Sequence, residues 1–230
     1  MEDPPRHLEH EHARREVTAE AFSRPRARPR LAAVGLVLAG LMGIAAEAPA
    51  QAPPPNYLEL RLAHSDGGVY RYVEYTRFLR SGPVVDTLYL GVPGQNELYV
   101  GVGYPLKATS ALTVMPLIYG VVGKENGERG VALGLFVLGT VRRWNVYSFL
   151  GYFEPVAGDV PRYFFLDSLD LSHKLARWEL GFSTGVFQSD GEWSTLVGPL
   201  VVRNDGRGAW RVSLRGGSTF EVRLTRTLAF

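Results

Sequence analysis

The sequence contains no cysteine and only 3 methionines in 230 residues. Without cysteine an exported chain has no disulfides, and a lipidated N-terminal cysteine is excluded. Histidine is scarce as well, with 5 in the whole chain. Nowhere do apolar residues continue for the ~20 positions that a membrane helix requires. There is no paired-carboxylate spacing, phosphate loop or metal-ligand cluster. The GVGYPL stretch at 101–106 is glycine-bearing strand and not a dinucleotide fingerprint, because no helix follows it. Charged residues make up 21% and hydrophobic ones 46%, so the chain is not disordered by composition. The net charge is +2, with much of the basic excess in the first thirty residues. That local excess gives no ground for a nucleic-acid partner, and no cofactor is expected.

The N-terminal segment has its own pattern. RPRARPR at 24–30 precedes an apolar run of 16 residues at 31–46, and EAPAQA follows. A basic region, a short hydrophobic core and a small-residue end describe a secretory signal peptide. Residues 1–50 are therefore expected to be a signal peptide with an extended basic region, cleaved after Ala50; a short membrane anchor is the alternative. The stretch before Arg24 is long for such a peptide, which places an expected true start downstream, at Val17. His7, His10 and His12 fall in this removable segment and are discounted as a metal site. Residues 51–56, QAPPPN, are a proline-rich leader.

From residue 57 apolar alternating runs recur about every fifteen residues, separated by turns such as SDGG, PGQN, SDGE and NDGRG. Twelve strands are expected, with ten as the lower count: 57–64, 70–79, 84–92, 97–107, 112–121, 131–141, 144–153, 162–171, 178–187, 193–202, 210–215 and 219–230. Strands of about ten residues suit a bilayer crossing at a steep tilt. Pro116 and Pro199 lie inside predicted strands and imply bulges or strands drawn too long. The eighth strand places either Asp167 or the pair Ser168 and Asp170 on the outer face.

The last eleven residues, FEVRLTRTLAF, alternate, with one departure at Arg226. Phe220, Val222, Leu224, Leu228 and Phe230 share one face, opposite Glu221, Arg223, Thr225 and Thr227. An amphipathic last strand with a terminal aromatic resembles that of bacterial outer-membrane β-barrels. The resemblance is to the class and to no single family. It implies an all-β, closed, antiparallel up-and-down transmembrane barrel over residues 57–230, in the outer membrane. Its partners would be outer-membrane lipid and the assembly machinery that reads the last strand. The resemblance also puts both chain ends on the periplasmic side. The turns then sort into acidic or neutral outer ones and basic periplasmic ones.

Trp144, Trp178 and Trp210 begin outward-running strands and would form a periplasmic aromatic girdle with Phe230. Tyr119, Tyr152, Tyr163 and Trp193 would form the opposite belt. Closure sets strand one beside strand twelve, so Glu59 and Arg61 would face Glu221 and Arg223. Arg211 and Arg215 extend that patch, and Glu179 is a further lumen-facing residue. Paired charges of this kind either line a narrow channel or bridge to fill the interior. His64 and His173 fall at opposite membrane faces, so no nucleophile and base share a site and no enzyme is expected. The expected function is a small narrow channel or a structural or partner-binding barrel. The alternatives are a soluble periplasmic barrel for a lipophilic ligand and an outer-membrane lipid-modifying enzyme. Arg226 breaks the apolar face. It snorkels to the basic rim, meets a carboxylate on an oligomer or protein partner, or marks a break in register after Leu224.

Overall fold

A computed structural model describes residues 56–123 and 127–230. The expected signal peptide, the leader through Pro55 and the three early histidines lie outside these residues. The described chain is all strand: β1 (Asn56–Ser65), β2 (Gly68–Phe78), β3 (Val84–Val92), β4 (Gln95–Gly103), β5 (Leu106–Lys107), β6 (Leu112–Gly123), β7 (Arg129–Val141), β8 (Trp144–Ala157), β9 (Tyr163–Leu175), β10 (Trp178–Ser189), β11 (Glu192–Asn204), β12 (Gly208–Gly217) and β13 (Phe220–Ala229). Every pairing is antiparallel. β4 pairs with β6 and β1 pairs with β13, which closes the sheet. The short β5 continues β4. Gly103 opposes Leu117 and Leu106 opposes Val114 in one register, and the interruption falls at Pro105, which has no N–H to donate. The result is a closed twelve-stranded barrel with one additional short strand.

Period-2 alternation gives each strand two faces, and closure decides which face is inside. Leu60, Leu62, Val100, Val102, Ile118, Leu133, Phe182 and Leu224 are exposed on the outer surface. Glu59, Arg61, Glu74, Asp86, Glu179, Arg215 and Glu221 are buried within. A soluble ligand-binding barrel requires the reverse arrangement, so that alternative is corrected here. The outer surface is a continuous apolar face, which water would penalise and hydrocarbon would not.

Both expectations about proline are corrected. Pro116 opposes Leu135 and Pro199 opposes Phe182 with no shift in register. Towards β12 the ladder omits Gly198 and Pro199 and resumes at Leu200 opposite Ser213. Each proline therefore removes ladder bonds on one side without inserting a residue. The turn between β10 and β11 is Asp190-Gly191. Both residues have positive φ, 50° and 85°, as a type I′ hairpin requires.

The interior has two halves. Around β2 to β9 it is aromatic, with the carboxylates Glu74, Asp86 and Glu97 buried among the rings: Phe136 stacks on Phe149 with centroids 4.2 Å apart, and Phe153 stacks on Tyr163 at 4.8 Å. Tyr119 and Tyr163 belong to this core, which corrects their assignment to the outer belt. The Tyr119 hydroxyl donates to Asp86 Oδ2 at 2.9 Å, and the Tyr99 and Tyr163 hydroxyls are 2.6 Å apart. These bonds hold the phenols inside, where their O–H groups find partners that hydrocarbon would not supply.

Gly101 makes the Tyr119 position possible. A Cβ there would lie 2.4 Å from Tyr119 Cδ1 and 2.7 Å from the Ile118 carbonyl oxygen. The ring cannot swing away while its hydroxyl is held by Asp86. Gly101→Ala is expected to lower unfolding stability by about 1–3 kcal/mol through overpacking. Urea unfolding of the refolded protein in lipid vesicles measures this, and an unchanged midpoint would show that the ring is free to move.

Candidate functional site

The second half of the interior is built from β1, β9, β12 and β13 and is charged. Its organising feature is a β-bulge in β9. Phe149 opposes Ser168 while Leu150 opposes Leu166, so Asp167 is the extra residue on the β8 side. Towards β10 the register shifts between Thr184 and Val186. A bulge reverses the phase of alternation within its strand. Tyr163 points inward before it, Ser168, Asp170 and Ser172 point inward after it, and Asp167 also turns in. The expectation that either Asp167 or the pair Ser168 and Asp170 faces outward is therefore corrected. The bulge brings all three inside.

Asp167 is the middle of a chain of seven alternating charges. Arg211 Nη1 lies 3.5 Å from Glu59 Oε2, and Arg61 Nη2 donates to Glu59 Oε1 at 2.6 Å. Arg61 Nη1 donates to Asp167 Oδ2 at 2.6 Å. Arg223 Nη2 lies 3.1 Å from Asp167 Oδ1, and its Nε lies 2.9 Å from Glu221 Oε1. Arg215 Nη2 completes the series on Glu221 Oε1 at 2.6 Å. The Asp167 backbone carbonyl also accepts a bond from Arg215 Nη1 at 2.9 Å. Opposite, Gly185 leaves room for that guanidinium: a Cβ there would lie 2.8 Å from Arg215 Nη1. Two aromatic faces complete the cage, with the Arg61 guanidinium 4.1 Å from the Tyr72 centroid and that of Arg211 4.4 Å from Tyr147.

Six of the seven lumen candidates from the sequence, Glu59, Arg61, Arg211, Arg215, Glu221 and Arg223, lie in this one chain. The seventh, Glu179, stands apart. It accepts bonds from Ser172 Oγ at 2.6 Å and Asn204 Nδ2 at 2.8 Å. The expected facing of Glu59 and Arg61 with Glu221 and Arg223 across the seam is not the observed register. Glu59 opposes Thr227, Arg61 opposes Thr225, and Arg223 opposes Ala63. The register is set by the strand ends, where Tyr57 meets Ala229 and the Phe230 N–H bonds the Asn56 carbonyl at 3.1 Å. Arg61 therefore reaches across the lumen to Asp167 on β9 as well as to Glu59 on its own strand.

Among these charges is a cavity of about 10 Å³ lined by Arg61, Tyr147, Ser168, Asp170, Arg211 and Arg223, among others. It has room for about one water molecule. Arg61 Nε, Ser168 Oγ and Asp170 Oδ1 are buried with no hydrogen-bond partner among the described residues. Side chains of the charged half close around this cavity. His64 opposes Val222 near one end, and His173 packs edge-on against Trp144 near the other, 5.0 Å between centroids. The two histidines do not share a site.

Outside, Trp144, Trp178, Trp210 and Phe230 are exposed at the end where Asn56 meets Phe230, and Trp193 is exposed at the opposite end. Tyr152 is exposed at that opposite end as well. On β13, Phe220, Val222 and Leu224 are exposed and Leu228 is half-buried on the same outer face. Arg226 lies on this face between Leu60 and Trp210, and the register runs unbroken on both sides of it. This rules out the alternative of a break in register after Leu224. Arg226 Nη2 reaches Asp205 Oδ2 at 2.8 Å, in the turn between β11 and β12, and the guanidinium sits 5.0 Å from the Trp210 centroid. The arginine therefore extends to the rim and takes its carboxylate from its own chain.

No protein-family model and no curated protein matches the sequence. Solved structures match in shape. A KdgM porin structure, in complex with disordered oligogalacturonate, superposes with a TM-score of 0.59 at 12% identity, covering 76% of this chain and 99% of that one. A NanC porin structure gives 0.55 at 10% identity, over 75% and 98%. Both are similar in fold to this chain, which has the architecture of bacterial outer-membrane β-barrels.

Two outcomes follow from this geometry. Arg223→Leu strips partners from both Asp167 and Glu221 and is expected to cost about 3–5 kcal/mol, as breaking a buried ion pair does. Arg211→Leu removes only the long terminal contact and is expected to cost clearly less; equal losses in vesicle-bound urea unfolding would contradict the chain. At the rim, slight desolvation raises the Asp205 carboxyl, but the Arg207 N–H and the Arg226 guanidinium outweigh it and hold the group below its ordinary value. A depressed carboxylate contributes stability that is complete above its unfolded value, about 3.9, and is lost as pH falls through the lower folded value. The melting difference between wild type and Asp205→Asn should therefore be constant above about pH 4 and vanish on further acidification. A difference that persists in strong acid would show that Asp205 acts through something other than its charge.

Proposed function

We propose that this chain is a small outer-membrane barrel whose narrow lumen, constricted by the alternating charge chain, serves as a channel for small hydrophilic solutes or ions. The observation that carries this reading is the division of faces in a closed barrel, apolar outside and charged within. An interior of paired arginines and carboxylates tunes which ions pass, because each charge is fixed by its neighbours close to the permeating path. The likeness to porins supports the architecture and carries no substrate, since the identities are 12% and 10%. The partners this reading implies are membrane lipid on the outer face and the outer-membrane assembly machinery at the apolar face of β13. Arg226 has its carboxylate within the chain, so the reading needs no protein partner there.

A second reading is favoured by one observation. The cavity in the charged half is only about 10 Å³, too small for solute passage without rearrangement. On that reading the barrel is structural and the ion pairs are its filling.

Cell fractionation and planar-bilayer recording separate these possibilities. The expected result is recovery with the outer membrane, heat-dependent mobility on a gel, and discrete conductance steps from the purified protein. Recovery as a soluble periplasmic protein would overturn the membrane reading together with both implied partners. Outer-membrane recovery with a silent bilayer would leave the structural reading in place of the channel.

A further inference from the structure

We propose that Asp167 is the residue that holds the constriction closed and sets its ion preference; this rests on the channel reading above. Its two carboxylate oxygens bind Arg61 at 2.6 Å and Arg223 at 3.1 Å. Those same two arginines line the small cavity in the charged half. Arg61 comes from β1, Arg223 from β13 and Asp167 from β9, so the carboxylate ties the seam strands to the wall opposite. It is the only one of the three carboxylates in the chain that does so: Glu59 and Glu221 lie on the seam strands themselves.

The wall beside this tie is made of small polar side chains. Ser168, Ser183, Ser213 and Thr225 all face the cavity. Ser168 Oγ, Arg61 Nε and Asp170 Oδ1 lack hydrogen-bond partners among the described residues. Polar groups left without partners in this way are served by water. The hydrated route through the charged half therefore runs along this wall, and the side chains that narrow it are those gripped by Asp167. The charge balance points the same way. Four arginines in the chain face Glu59, Asp167 and Glu221. Neutralising Asp167 leaves Arg61 with Glu59 and Arg223 with Glu221 as ion-pair partners and shifts this wall, which also carries Asp170, towards positive charge. A passage lined by one sign of charge concentrates the opposite ion.

The test uses the full-length protein in planar bilayers under a KCl gradient. Asp167→Asn keeps the size of the side chain and removes its charge. It is expected to raise single-channel conductance and to shift the chloride-to-potassium permeability ratio towards chloride by about tenfold. Glu154→Gln makes the same charge change at a half-buried position outside the chain, where Glu154 pairs with Arg162 at 3.2 Å, and should leave both quantities as in wild type. The double variant Asp167→Asn with Arg223→Gln restores the charge balance. It should keep the raised conductance and lose the shift to chloride, and it supplies the reading if the single variant does not fold. If wild type conducts and both Asp167 variants behave as Glu154→Gln does, Asp167 is not the lock, while the channel reading stands. If neither wild type nor any Asp167 variant conducts, the lock and the channel fail together.

Discussion

The structure depends on one displaced carboxylate. A strand on a barrel wall has one face for the interior and one for the surroundings, and strict alternation would leave Asp167 or Ser168 and Asp170 on the wrong one. The bulge in β9 removes that conflict by inserting a residue into one side of the ladder. Asp167 then meets Arg61 and Arg223 and completes the alternating series. Without it, Arg61 would keep only Glu59 and Arg223 only Glu221, and the carboxylate the two guanidinium groups share would be lost from a site where buried charge is tolerated only when paired and hydrogen-bonded.

The two halves of the interior solve the filling problem differently. The aromatic half packs rings against glycines, as where Tyr119 covers Gly101, and anchors Tyr99, Tyr119 and Tyr163 on a carboxylate or another phenol. The charged half cannot pack in that way, because guanidinium groups are planar and need partners at fixed angles. It fills by a chain of ion pairs and leaves a water-sized gap. A passage, if opened, would therefore run along the charged wall. The outer surface obeys a simpler rule, apolar in its middle and aromatic at its ends, with Arg226 accommodated because Asp205 lies within reach at the rim.

Much of this was legible in the sequence, because two-residue periodicity reports a strand wherever one face is apolar. The twelve predicted strands match the observed ones to within a few residues at most ends, and the third, 84–92, coincides with β3. Glu59, Arg61, Arg211, Arg215, Glu221 and Arg223 all lie on the polar phase of their strands, so alternation alone groups them on one face. What could not be read was lateral register. Alternation fixes the face of Arg61 but not its height against β13, and so the seam pairing expected for it was wrong. Asp167 was missed for a related reason. Its signal was present as a conflict, because Asp167, Ser168 and Asp170 cannot all share one face of a regular strand. A bulge is the local change that resolves such a conflict, but the sequence alone does not say where it falls. Tyr119 and Tyr163 misled in the opposite way. Their position near strand ends suits a girdle, and only the buried Asp86 and Glu97 nearby explain why they turn inward.

The central claim is that the β9 bulge turns Asp167 into the lumen to join arginines from both seam strands. Solid-state NMR of the refolded barrel in lipid measures this directly, through carbon–nitrogen dipolar contacts of the Asp167 carboxyl. The account predicts contacts to the guanidinium nitrogens of both Arg61 and Arg223. Contacts from that carboxyl to lipid acyl chains, with none to either arginine, would contradict it.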